Sequence, residues 1–178
     1  MGLKPKNSIN EHELIQQCLQ SNRKAQQDLY DCFAPVMKAV CRRYLYDKNE
    51  LELALNQGFL KVFQNLKKFK GEGSFEGWIR RIVINNCLME NRKKPKENEP
   101  IGEEVFVAQA DAESPEYILQ AIASLPKGYR EVFNLFEIDG YNHKEIAKML
   151  HITSSASRSQ LARAKEVLRK KLHGITGL

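Results

Sequence analysis

Aromatic residues are scarce in this chain, at 8%, and Gly and Pro number only 10 and 6. That composition argues against a β-sandwich or barrel, which draws on many aromatic strands and Gly/Pro turns. No stretch approaches the ~20 apolar residues of a membrane span. The opening MGLKPKNSIN lacks the apolar run of a secretory signal, so a cytoplasmic protein is expected. The four cysteines, Cys18, Cys32, Cys41 and Cys87, include no Cys-x-x-Cys pair and no nearby His at ligand spacing. Cys32 and Cys41 fall on apolar helical stripes, where Cys behaves as a small buried hydrophobe. His12, His143, His151 and His173 are scattered, and no carboxylates gather at metal-binding spacing. Lys70-Gly71-Glu72-Gly73-Ser74 has two glycines but neither the GKS/T ending nor the strand of a phosphate-binding loop. No metal, cofactor or catalytic group is expected, and the chain does not read as an enzyme.

What the chain does have is positive charge. Its 178 residues carry a net charge of +6, with a pI near 9.1, which suits a polyanionic partner. Helical periodicity runs almost throughout. Leu14, Ile15 and Leu19 are followed by Ala25, Leu29, Phe33, Met37, Val40 and Tyr44, with a break at Ser21-Asn22. A kink is expected at Pro35, which removes a backbone donor. After a polar turn at Asp47-Lys48-Asn49, a helix is predicted over Glu50–Phe69, with Leu55, Phe59, Val62, Phe63 and Leu66 on one side. Beyond the Gly-rich loop, Phe75 to Lys94 reads as a helix with Trp78, Ile82, Val83 and Leu88 toward a core. Arg80, Arg81, Asn85, Asn86, Arg92, Lys93 and Lys94 are its polar residues. A solvated basic face accounts for most of them. The paired asparagines are less usual, because Asn is a mediocre helix former whose amide can read a base edge.

Between Pro95 and Glu116 periodicity vanishes, and seven acidic residues are opposed by Lys96 alone. An acidic linker is expected there. Ser114-Pro115-Glu116 then starts a helix, with Pro at the first position. Ile118, Leu119, Ile122 and Leu125 form its apolar side up to Pro126, and Tyr129, Val132, Phe133 and Phe136 mark the next helix. The layout is all-α: two small helical domains, 11–94 and 114–174, joined by the linker 95–113.

The segment Tyr141–Leu172 is a short helix, a three-residue turn and a longer basic helix. Asn142 with Glu145 is a capping pattern, and Thr153 or Ser154 can cap the second helix. Leu161, Ala164, Leu168 and Leu172 share one face. Ser155, Arg158, Ser159, Ala162 and Arg163 lie on others, small or guanidinium side chains that allow a close approach to a DNA major groove. The pattern is that of a helix-turn-helix, although a plain helical hairpin with a basic surface satisfies it too.

Two motifs, GFLKVFQNLKKFKGEGSFEGWIRRIVINNCL and SLPKGYREVFNLFEIDGYNHKEIAKMLHIT…SRSQLARAK, in this order and at this separation, resemble the extracytoplasmic-function (ECF) sigma factors of bacterial RNA polymerase. The resemblance runs from about Leu14 to Leu172. It implies a first domain like sigma region 2, which docks on the clamp helices of the largest polymerase subunit and opens the −10 element. The second resembles region 4, which reads the −35 element and meets the flap of the β subunit. It also implies an anti-sigma partner. Carried over by position, −10 recognition falls to Lys70, Gly71, Gly73, Ser74, Phe75, Arg80, Arg81 and Asn85. Recognition of −35 falls to Ser155, Arg158, Ser159, Ala162 and Arg163. Polymerase binding falls to Glu52, Asn56, Gln57, Phe59, Leu60 and Lys61. The chain departs from the family pattern where Glu52-Leu53 and Asn56-Gln57 replace more acidic pairs, and where His151 stands for a frequent Gly. It departs again at Ser155-Ala156, which replace Gly-Thr. The competing reading is a stand-alone dimeric helix-turn-helix regulator, which needs no polymerase partner.

Overall fold

The computed structural model describes residues 10–93 and 115–173, with the side chains of 115, 116 and 173 left aside. The chain divides into two compact units, 1–94 and 95–178. All regular structure among the described residues is helical. The acidic segment 95–113 and Lys94 lie outside the described residues.

In the first unit, each early helix starts on a side-chain cap. Asn10 caps α1 (Glu11–Leu19), Asn22 caps α2 (Arg23–Cys41) and Asp47 caps α3 (Lys48–Asn65). Asn22 Oδ1 accepts from the amides of Lys24 (2.9 Å) and Ala25 (3.2 Å), satisfying donors the first turn leaves orphaned. The left-handed Ser21 (φ 61°) makes the corner between α1 and α2. Pro35 lies inside α2 and does not end it; its ring is on the exposed side. Lys48 and Asn49, read as turn from sequence, are the first residues of α3, because Asp47 caps the helix earlier. At its far end α3 tightens into a 3₁₀ turn, Leu66–Lys68, and Phe69 falls beyond it.

The core sits among α2, α3 and α4 (Phe75–Lys93). Leu29, Met37, Cys41, Leu55, Val62, Ile79, Val83 and Cys87 are all buried there. On α4 the inward face is Phe75, Ile79, Val83, Ile84 and Cys87, while Trp78 and Ile82 are only half-buried. Gly58 lets α3 and α4 approach closely: a Cβ there would stand 3.1 Å from Val83 Cγ2 and 3.5 Å from its Cα. Across the same contact Asn86 Nδ2 donates to the Ala54 carbonyl at 2.8 Å. Asn91 Nδ2 donates to the Tyr44 carbonyl at 2.9 Å, fixing the end of α4 to the α2–α3 connection.

The second unit holds α5 (Pro115–Ala123), α6 (Lys127–Phe133), α7 (His143–Leu150) and α8 (Ser154–His173). A single π turn, Asn134–Ile138, follows α6. Ala121, Leu125, Ala164 and Leu168 form the buried centre, flanked by Ile122, Tyr129, Phe133, Val167 and Leu172. The apolar side expected for α5 is rotated in the structure. Tyr117, Ala121 and Leu125 are buried, whereas Ile118 is 48% and Leu119 59% exposed. The reason is tertiary: the small Ala121 lets α8 approach, and the Tyr117 hydroxyl reaches the Lys171 carbonyl (3.2 Å). The buried Arg130 closes the far end of α5, its Nη1 donating to the Ala123 and Leu125 carbonyls at 2.9 Å each.

The packing predicts a ranking of thiol reactivity. Cys18 is buried, and burial, with the Asp28 carboxylate adding, pushes its pKa up to about 11. The Cys87 thiol donates to Cys41 Sγ at 3.4 Å; that bond and burial raise its pKa well above the ordinary thiol value. Only Cys32 is partly exposed. Because the thiolate is the reactive form, iodoacetamide at pH 8 should label Cys32 first and the other three only after denaturation. Peptide mass spectrometry would show it, and equal native labelling of all four would contradict the packing.

Candidate nucleic-acid interface

The helix-turn-helix is built from local bonds. Asn142 Oδ1 accepts from the amides of Lys144 (3.0 Å) and Glu145 (3.1 Å), and Glu145 Oε2 accepts from the Asn142 amide (3.0 Å). This is the capping box. His151 ends α7 in the left-handed region (φ 54°, ψ 44°), the conformation a Gly adopts most easily. Its amide and that of Ile152 both return to the Ala147 carbonyl. Thr153, rather than Ser154, caps α8, its Oγ1 accepting from the Ala156 amide at 3.0 Å.

α8 is held at its first turn by a residue the sequence reading passed over. Ser157 is fully buried, and its hydroxyl bonds His143 Nδ1 at 2.9 Å. The His143 ring in turn stacks on Phe136, with centroids 4.5 Å apart. The signal was in the spacing, since 157, 161, 164 and 168 continue one helical stripe. With that stripe inward, Ser155, Arg158, Ser159, Ala162 and Arg163 are all exposed. They form one continuous face of small and cationic side chains. Arg163 Nη1 donates to the Tyr129 hydroxyl at 3.4 Å.

In the first unit, Gly71 (φ 76°) and Gly73 (φ 85°) take backbone conformations that other residues adopt only with strain, and they shape the loop before α4. Lys70, Gly71, Glu72, Gly73 and Ser74 are exposed. Ser74 caps α4, its Oγ accepting from the Gly77 amide at 3.2 Å. Phe75 must be corrected. It is 1% exposed, packed edge-on to Phe33 and against Phe69 and Trp78, so it anchors the loop and presents nothing to a ligand. Arg81 and Asn85, one helical turn apart, are exposed on the same side of α4. Arg80 is half-buried and paired with Glu76 at 2.7 Å, off that line. The two asparagines therefore separate: Asn85 faces out, while Asn86 is 1% exposed and bonded to Ala54 and Lys61.

On α3 the carried-over polymerase residues also divide. Phe59 is 2% exposed and packs on the Tyr30 ring, so it is a core residue and a second correction. Lys61 turns toward Asn86, and Glu52 is paired with Lys38. Gln57 is half-buried, and Asn56 is exposed with Oδ1 accepting from Tyr30 (3.1 Å). Leu60 is 57% exposed, and Leu53, seven residues earlier on the same side, is 50% exposed. In the sequence, Leu53 stands out only as a departure from an acidic pattern; its exposure beside Leu60 comes from the fold. Among the described residues no cluster of three His, Cys, Asp or Glu could hold a metal, and no helix is long and apolar enough to cross a membrane.

Comparison with known proteins bears on these two faces. Residues 29–97 match the sequence profile of Sigma-70 region 2, and residues 116–168 match Sigma-70, region 4. The chain is a member of the sigma-70 family. Its relatives place it in the ECF group. It is 22% identical to the ECF RNA polymerase sigma-E factor of Haemophilus influenzae, over 92% of this chain and 96% of that protein. It is 27% identical to the ECF RNA polymerase sigma factor SigW of Bacillus subtilis, over 90% and 96%. Among solved structures, CnrH in complex with the cytosolic domain of CnrY superposes with a TM-score of 0.54 at 20% identity, covering 90% of this chain and 96% of that one. The sigma factor RpoE in complex with the anti-sigma factor NepR from Bartonella quintana gives 0.56 at 17%, covering 83% and 96%. At these identities the superpositions speak for the fold.

The two asparagines provide a direct check of the geometry. Asn86→Ala removes a buried amide and its bonds, and should cost ~1–3 kcal/mol of stability. Asn85→Ala touches only surface and should stay within ~0.5 kcal/mol of wild type. Urea titration of both variants would decide; the reverse order would refute the assignment of faces.

Proposed function

We propose that this ECF-group chain acts as an RNA polymerase sigma factor with no catalytic chemistry of its own, directing core polymerase to promoters from the cytoplasm. The observation that carries the reading is the pairing of a region 2 match and a region 4 match in one chain, each with exposed cationic side chains. In the second unit, Ser155, Arg158, Ser159, Ala162 and Arg163 enter the major groove at the −35 element. Small residues there permit close approach, and the arginines supply forked donors to guanine or phosphate. In the first unit, the loop 70–74 with Arg81 and Asn85 receives the unpaired −10 strand. The cations meet phosphate, the Asn85 amide meets a base edge, and capture offsets the few kcal/mol of unstacking.

The polymerase partner is met through α3. Glu52 is engaged by Lys38, which leaves Leu53, Asn56 and Leu60 as a largely uncharged docking strip for the clamp helices, while the second unit meets the flap of the β subunit. Both solved relatives are held by another protein, the anti-sigma factor NepR in the case of RpoE, which motivates an anti-sigma partner here as well.

Run-off transcription with purified core polymerase on genomic fragments tests the whole reading. Discrete transcripts dependent on this protein are expected. No transcripts, together with tight sequence-specific binding of DNA by the free protein, would favour the dimeric regulator instead.

Arg158, exposed near the start of α8, allows a finer test. If it forks onto a guanine, Arg158→Ala should cost ~1–3 kcal/mol and relax preference at one −35 base pair, with Arg158→Lys failing to restore it. A uniform loss across a −35 mutant panel, repaired by Lys, would assign it to phosphate.

A further inference from the structure

Arg163 is the exposed guanidinium of the α8 face whose position the structure ties to another helix. Its Nη1 donates to the Tyr129 hydroxyl at 3.4 Å. Tyr129 is itself fixed, for its ring packs against the cluster of Ala121, Leu125, Ala164 and Leu168. The first turn of α6 lies close along α8 here: a Cβ on Gly128 would stand 3.4 Å from Gln160 Oε1, one helical turn before Arg163. The phenolic oxygen is therefore an immobile acceptor at the edge of the recognition face. An arginine on a helix surface otherwise samples many rotamers and loses them on binding.

We propose that Tyr129 is a positioning residue for promoter recognition: its hydroxyl holds the Arg163 guanidinium in the orientation that meets −35 DNA. This rests on the sigma-factor reading above. The ring would serve the core equally well as phenylalanine; what the hydroxyl adds is an acceptor directed at Arg163. Tyr129 touches no DNA in this scheme and acts through Arg163 alone.

The test is a double-mutant cycle in holoenzyme assembled with core polymerase, on a panel of −35 variants. Tyr129→Phe keeps the ring, so thermal unfolding should not move. Promoter-dependent transcription should fall about two- to tenfold, the range that ordering one long side chain covers. The fall should be confined to the −35 variants that respond to Arg163→Ala, and should vanish when Arg163 is already Ala. Wild-type transcription by Tyr129→Phe on every promoter would overturn the proposal. So would an undiminished effect in the Arg163→Ala background, which would mean the hydroxyl acts on DNA or on the fold by itself. Failure of the sigma reading looks different: the unaltered protein would give no transcripts with core polymerase, and the positioning role would fall with it.

Discussion

The burial of one stripe on α8 is the constraint from which its exposed small and cationic face follows. Ser157, Leu161, Ala164 and Leu168 turn inward, and the 3.6-residue repeat then leaves Ser155, Arg158, Ser159, Ala162 and Arg163 no direction but outward. Three members of the stripe do distinct things. Ala164 permits close packing and Leu168 supplies apolar area to the centre of the unit. Ser157 adds a directional bond to His143, so the first turn of α8 is fixed to α7 by polar geometry as well as by packing. A recognition helix needs that rigidity, because a groove contact displaced by a fraction of an ångström loses its hydrogen bonds.

The first unit solves a related problem with a different device. Its loop is open at the tip and packed at the base. Gly71 and Gly73 open the tip, with nothing within 4 Å of where a side chain would begin. Phe69, Phe75 and Trp78 close the base, and Ser74 locks the loop into the first turn of α4. The α3–α4 contact carries the load beneath it: Gly58 admits α4, and Asn86 bonds across to Ala54. The exposed uncharged residues of α3 (Leu53, Asn56, Leu60) and the exposed Arg81 and Asn85 of α4 thus sit outside one small shared core.

Charge is distributed in keeping with these roles. The basic excess of the chain gives long-range attraction to DNA that weakens with salt, but specificity depends on a few oriented groups. Several cations are already committed, Lys38 to Glu52, Arg80 to Glu76 and Lys165 to Glu137. Those pairs sit at the surface and add little to stability. Their effect is to remove particular side chains from the set available to phosphate.

By itself, the sequence determined the all-α class, the two helical segments, the capping box at Asn142 and the outward face of Ser155, Arg158, Ser159, Ala162 and Arg163. All of these rest on local spacing and local hydrogen bonds, which the order of residues expresses directly. The tertiary structure decided which of two chemically similar neighbours faces inward. Asn85 and Asn86 look alike in sequence, and only the approach of α3 buries the second. Phe75 and Phe59 read as site residues until packing against Phe33 and Tyr30 places them in the core. Ile118 and Leu119 read as core until Tyr117 and Ala121 meet α8 instead. A periodic pattern fixes a face to within about one residue, a helical rotation of ~100°; which side of that margin is buried depends on the shape of the neighbouring helix, and that information is spread over residues far apart in the chain.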